Sequence, residues 1–206
     1  MDVLTGITLA APAGLNAYIP VLAVAISQHE GWLHLRGAYA HMGDAWFILL
    51  ITTLLVVEIV ADKVPAVDHA NDIIQTLVRP AAGGLLAVAA SGEGKLEPWL
   101  LLAAGVLIAG GVHAVKASAR PVINVLSGGI GGPAASTAED IGAAGLSIVA
   151  IAAPLIAAAL SVLGVGGAVW GISTWRHRRA EKRTADAGNP AATTAPADAS
   201  DRPAAS

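Results

Sequence analysis

Three sets of ionisable residues stand beside or inside strongly apolar stretches of this sequence. Glu58 and Asp62 are four residues apart. Asp68, Asp72, Gln75 and Arg79 follow at i, i+4, i+7 and i+11, and His113, Lys116 and Arg120 at i, i+3 and i+7. At about 100° per residue the four positions of the second set fall within a sector of roughly 60° on a helix. The third set shares a face in the same way. A charge at the centre of a bilayer costs about 2.5–3.5 kcal/mol on insertion scales, so such groups turn toward one another or line a wet cavity. Lys116, Arg120 and Arg79 could there hold an anion, with His113 as a proton-sensitive neighbour. Glu58, Asp62, Asp68 and Asp72 would be counter-charges or proton carriers. Glu139 and Asp140 open the last apolar stretch, and Asn16 offers a donor and an acceptor in the first.

Each set also has a structural reading. Ser136-Thr137-Ala138-Glu139 has the form of a capping box, in which Ser136 bonds the N3 amide and Glu139 reaches back. Asp62-Lys63 fits an interfacial turn before Pro65, and Asp68 fits an N-cap. Asp72 and Arg79 lie too far inside their segment for capping, so the alternative there, as for His113 and Lys116, is an ion pair that only joins helices. Six acidic residues (Glu58, Asp62, Asp68, Asp72, Glu139, Asp140) stand against four basic ones (Lys63, Arg79, Lys116, Arg120). The acids concentrate in the second and third segments and the bases in the fourth. Docking these faces neutralises charge and makes a polar centre in an apolar bundle.

The elements that must position these groups are membrane helices. The chain has 206 residues, 55% hydrophobic and 13% charged, with a mean hydropathy of +0.65. Soluble domains carry roughly 25% charged residues. A spanning helix needs about 20 predominantly apolar residues, and five stretches qualify. Residues 3–28 are uncharged but interrupted by Pro12, Gly14 and Pro20; residues 46–61 carry only Glu58; residues 68–91 carry the second set; residues 98–115 carry only His113. Residues 141–175 are uncharged, and as one helix would run ~52 Å, beyond a ~30 Å hydrocarbon core. They form either a span with an extension or two segments hinged at Gly164, Gly166 and Gly167. The expected fold is all-α: a polytopic transmembrane helix bundle of about five spans, the first broken at Pro12/Gly14.

Backbone groups freed at that break need protein or water partners at membrane depth, and Asn16 can supply one. Ser127-Gly128-Gly129-Ile130-Gly131-Gly132-Pro133 reads as a loop over the outer face, too glycine-rich for a helix. Gly14-Leu15-Asn16-Ala17 is similar in pattern to Gly111-Val112-His113-Ala114, which raises an inverted-repeat architecture of the kind seen in transporters. Gly83-Gly84, Gly105, Gly110-Gly111, Gly142 and Gly145 suit close helix packing in lipid.

Several classes are excluded. The chain has no cysteine, hence no disulfide or thiolate chemistry. A net charge of −3 with 12 Lys+Arg gives no basic face for nucleic acid. There is no His-Glu-x-x-His and no Gly-x-Ser-x-Gly motif, and no metal or cofactor is expected. No Lys or Arg precedes Arg36, so the N-terminus does not read as a signal peptide. Residues 1–175 read as the transmembrane domain. Residues 176–183, with Arg176, Arg178, Arg179, Lys182 and Arg183, read as a basic stop-transfer segment that the positive-inside rule puts in the cytoplasm. Residues 184–206 contain no large apolar side chain and read as a disordered cytoplasmic tail.

Gly14-Leu15-Asn16-Ala17-Tyr18-Ile19-Pro20, Glu58, Ala61-Asp62-Lys63-Val64-Pro65, Val67-Asp68 and Arg79-Pro80-Ala81-Ala82-Gly83 stand in order in the first half. His113, Lys116-Ala117, Arg120-Pro121, Asn124 and Ser136-Thr137-Ala138-Glu139-Asp140 follow in the second. Over residues 1–165 this order resembles the bacterial membrane-protein family catalogued as domain of unknown function 4126. The resemblance implies an integral membrane protein and no particular activity. From the residues themselves, the expected function is to bind or translocate a polar or anionic solute, or a lipid head group, in the inner membrane. A lipid-modifying membrane enzyme built on His113 and a carboxylate is the alternative, and a structural or assembly factor the third. The expected partners are the bilayer and the solute, and a bundle this small is compatible with a homodimer.

Overall fold

The computed structural model describes residues 3–61, 65–92, 96–127 and 131–187, without the side chains of residues 65–70, 72, 124, 126 and 182–187. Its elements are α1 (Val3–Leu15), α2 (Tyr18–His29), a 3-10 helix (Gly37–Gly43), α3 (Ala45–Ala61), α4 (Pro65–Ala89), α5 (Pro98–Leu126), α6 (Gly131–Ala152) and α7 (Pro154–Ala187). No strand occurs among the described residues. The described residues divide into two compact units, one up to Val169 and one from Trp170 onward.

In the first unit α1 is the central post. It is buried at Thr5, Gly6 and every residue from Thr8 to Gly14, and it packs against α4, α5 and α6. Helices in lipid gain little from hydrophobic association, so small residues that let backbones approach supply the packing. Gly83 on α4 faces Gly105 on α5 so closely that a Cβ at Gly105 would overlap the Gly83 carbonyl oxygen. A Cβ at Gly14 would lie 2.5 Å from the Ala109 carbonyl oxygen. The outward surface is apolar, with Leu77, Leu107 and Leu155 among its most exposed residues. An exposed apolar surface of this extent is what a lipid-facing bundle presents.

Among the described residues, three helical stretches are long and apolar enough to cross a membrane: Pro98–Ile123, Gly131–Ala152 and Pro154–Glu181. A fourth is the bent pair of Gly37–Gly43 and Ala45–Ala61, with 68° between them. Val3–Leu15, Tyr18–His29 and Ile73–Ala89 are shorter apolar helices. The all-α bundle with candidate membrane spans is thus present, and among the described residues it combines full-length stretches with a bent pair and half-length pieces.

The breaks fall elsewhere than expected. Pro12 and Gly14 lie inside α1, and the interruption comes at Asn16 and Ala17. The Asn16 amide still donates to the Pro12 carbonyl at 3.0 Å, and its side-chain Oδ1 accepts from the amides of Tyr18 at 2.9 Å and Ile19 at 3.2 Å. These are the orphan donors of a helix start, so Asn16 both ends α1 and begins α2. The last apolar stretch divides at Ala153, ahead of Pro154, and Gly164, Gly166 and Gly167 continue within α7. Proline has no amide to give the preceding turn but is at home as the first residue of a helix.

Two further expectations are corrected. Gly131, Gly132 and Pro133 form the first turn of α6 rather than a loop, while Gly128, Gly129 and Ile130 lie outside the described residues. Ser136 is more than a turn inside α6 and cannot cap it. Its hydroxyl is buried, and Glu139 is engaged elsewhere.

In the second unit α7 continues through the basic segment to Ala187. The Arg179 guanidinium stands 4.2 Å above the Trp175 ring, a cation–π arrangement that lets a charged residue cover an aromatic one. The remainder of the expected tail, residues 188–206, lies outside the described residues.

Candidate functional site

The site begins at the gap between α1 and α2. A helix C-terminus carries unsatisfied carbonyls and a partial negative charge, which a cation stabilises. Lys116, on α5, meets that need: its Nζ donates to the Leu15 carbonyl at 3.0 Å. The same ammonium lies 2.6 Å from Glu139 Oε2 on α6. On the other side of the gap, Asn16 Nδ2 donates to Asp140 Oδ1 at 2.9 Å. Neighbouring carboxylates of α6 thus hold the two sides of the break, one through a lysine and one through an amide.

A second cluster is centred on Arg79, which is 1% exposed. Its Nη2 donates to Glu58 Oε1 on α3 at 3.1 Å, and its Nη1 lies 3.1 Å from His113 Nδ1 on α5. A guanidinium has no acceptor, so the Nδ1 lone pair must accept and the imidazole must carry its proton on Nε2. That nitrogen faces Thr76 Oγ1 at 3.3 Å and donates to it. The Tyr18 hydroxyl lies within electrostatic reach of Glu58, Gln75 and Arg79. Buried charges are tolerated when paired and hydrogen-bonded in this way. Arg79 Nε and Gln75 Oε1 are among the buried atoms with no hydrogen-bond partner among the described residues.

The clusters differ in what lies beside them. A cavity of about 300 Å³ has Lys116 and Glu139 in a wall that is otherwise apolar but for Ser161. A second, of about 550 Å³, shares Ala11, Val112, Ser161 and Val165 with the first. Arg79, Glu58 and His113 line neither.

The structure thus joins Glu58, Arg79 and His113 in one group, Lys116 and Glu139 in another, and Asn16 with Asp140. Arg79 and, less strongly, Arg120 one turn beyond on α5 both act on Lys116 electrostatically. Arg79, expected to share an anion with Lys116, is held by Glu58 and His113. Asp62 lies outside the described residues; Asp68 and Asp72 lie on α4, with their side chains outside them. The Leu15 carbonyl, Thr76 and Tyr18 were not anticipated as site members. Thr76 could have been found three residues before Arg79 on the same face, whereas no residue type marks a carbonyl. No group of three or more His, Cys, Asp or Glu is placed to hold a metal ion among the described residues.

Residues 3–174 match the family described as Domain of unknown function (DUF4126). The chain belongs to that family. The DUF4126 match takes in both clusters, the α1–α2 break and most of the length of α7. No curated protein and no solved structure matched the sequence.

Proposed function

We propose that this DUF4126 protein is an integral membrane protein that binds, and passes across the bilayer, a polar or anionic solute or a lipid head group at Lys116 and Glu139. The observation that supports this reading is the position of Lys116. It is 7% exposed, joins a broken helix to a carboxylate, and stands in the wall of a cavity. A guest competing for the ammonium would loosen the α1 end and the α6 contact together, which couples binding to the discontinuous element. Arg79, Glu58 and His113 serve as the strut that keeps α3, α4 and α5 in register while this happens. The protein resides in the cytoplasmic membrane, with the basic residues after Trp175 on the cytoplasmic side.

The test is reconstitution of the full chain into liposomes, with flux of chloride and phosphate and transbilayer movement of a head-group-labelled phospholipid as readouts. Lys116→Gln should lower the supported rate about tenfold or more, the worth of a charge-assisted hydrogen bond, with insertion unchanged. Equal rates for the two proteins would remove the proposal.

A further inference from the structure

The two cavities that share Ala11, Val112, Ser161 and Val165 form one trough lined by α1, α5 and α7, with Leu146 and Glu139 of α6 at one end. It follows α1 from Leu4 to Leu15, about 16 Å at 1.5 Å per residue, which is close to half of a ~30 Å hydrocarbon core. Its hydroxyls are already engaged. Thr8 Oγ1 donates to the Leu4 carbonyl at 2.8 Å, and Ser161 Oγ to the Ala157 carbonyl at 2.7 Å. Gly111, Gly164 and Gly166 in its wall have no atom within 4 Å of where a Cβ would stand, so the space beside them is open. The covering helix α7 buries only 6% of its most apolar stretch against the rest of the protein. A wall with no polar group to offer along its length suits an alkyl chain and rejects a sugar or peptide.

Polarity returns at one end only, as the Lys116–Glu139 pair. Among the charged side chains that the structure places at the two clusters, Arg79, Lys116 and Arg120 are matched in number by Glu58, Glu139 and Asp140, and the His113 Nδ1 accepts from Arg79. A purely anionic guest would leave excess charge in a low dielectric, which is costly. A head group carrying both signs would not. Phosphate would take the Lys116 ammonium, and an ammonium would take Glu139. A primary ammonium can donate hydrogen bonds to that carboxylate, and a quaternary one cannot.

We infer that the trough holds one acyl chain of a phospholipid whose head group bears a phosphate and a primary ammonium, seated across Lys116 and Glu139. The inference rests on the reading of Lys116 above and names the ligand class for it.

The experiment is native mass spectrometry of the full chain after exchange with equimolar phosphatidylethanolamine, phosphatidylcholine and phosphatidylglycerol. The ethanolamine lipid should be retained about tenfold over the other two. Val165→Trp, which fills the trough without touching the charges, should reduce retention of all three. Glu139→Gln should shift retention toward the anionic lipid, and soluble glycerophosphoethanolamine should fail to displace the bound lipid. Equal retention of the three lipids, full binding by V165W, or displacement by the soluble head group would each overturn the inference. In those cases a Lys116-dependent flux would leave the broader reading standing, whereas Lys116→Gln without effect on flux or retention would end both.

Discussion

Glu139 and Asp140 are adjacent on α6, yet they secure opposite sides of one break: Glu139 pairs with the lysine that holds the end of α1, and Asp140 accepts from the asparagine that starts α2. Half-helix ends tied to charged side chains near membrane depth are the elements from which discontinuous-helix binding sites are made. In this protein the tie runs through one turn of α6, so a small rotation of that turn changes both ends together.

Substitutions at the two carboxylates should separate their roles. Glu139→Gln leaves the Lys116 ammonium without its counter-charge. Breaking a buried pair costs ~3–5 kcal/mol, and the 17% exposure of the Glu139 side chain places this case at the lower end. Asp140→Asn keeps an oxygen to accept from Asn16 and should cost about 1 kcal/mol or less. Thermal unfolding in detergent compares them, and a larger loss for D140N than for E139Q would contradict the assignment.

The Arg79 cluster should behave as a strut. Arg79→Gln takes the counter-charge from a Glu58 carboxylate that is 2% exposed and should destabilise by about 3–5 kcal/mol. Removing both charges, as Arg79→Met with Glu58→Leu, should recover much of that loss, because no uncompensated charge remains. Chemical denaturation of the single and double variants gives the comparison, and a double variant no better than R79Q would argue against a purely structural pair.

The proton on His113 is fixed by its neighbours. Nitrogen-15 spectra of selectively labelled protein should show Nδ1 unprotonated and Nε2 protonated, since Arg79 can only donate. His113→Lys should lower the unfolding temperature by placing a second cation against Arg79, and His113→Gln, which can still accept from the guanidinium, should be milder. A protonated Nδ1 would show that the Arg79 contact is not a hydrogen bond.

The glycine contacts divide into crowded and open positions. Gly105→Ala places a Cβ against the Gly83 carbonyl oxygen and should cost about 1–3 kcal/mol, as overpacking does. Gly111→Ala meets open space and should be neutral, or stabilising by up to ~1 kcal/mol through helix propensity. Their unfolding temperatures make the check, and equal effects would mean that α4 and α5 do not meet as described.

Much of the site could be read from spacing. The helical alignment of Arg79 with its face, and of His113 with Lys116, anticipated which residues turn inward, because buried charge in lipid leaves few alternatives. The locations of the breaks were harder. Pro12 and Gly14 look like stronger helix breakers than Asn16, but α1 is enclosed by three other helices that hold it helical past the proline, and the Asn16 amide that supplies the next start is an ordinary residue until its partners are known. Ser136 fits a capping box locally, yet α6 begins five residues earlier and Glu139 is drawn away by Lys116, a residue 23 positions distant in the chain. That Arg79 would find its carboxylate on α3 and Lys116 its own on α6 was not legible: both are inward-facing cations that act on each other electrostatically, and only the packing of the helices decides which acid each one meets.

The most direct measurement is the lipid complement carried by Lys116→Gln beside that of the unaltered protein, read by native mass spectrometry on samples of equal thermal stability. Selective loss of the zwitterionic lipid from the variant is the predicted result. An identical complement in both would mean that the lysine at the broken helix holds nothing but the helix.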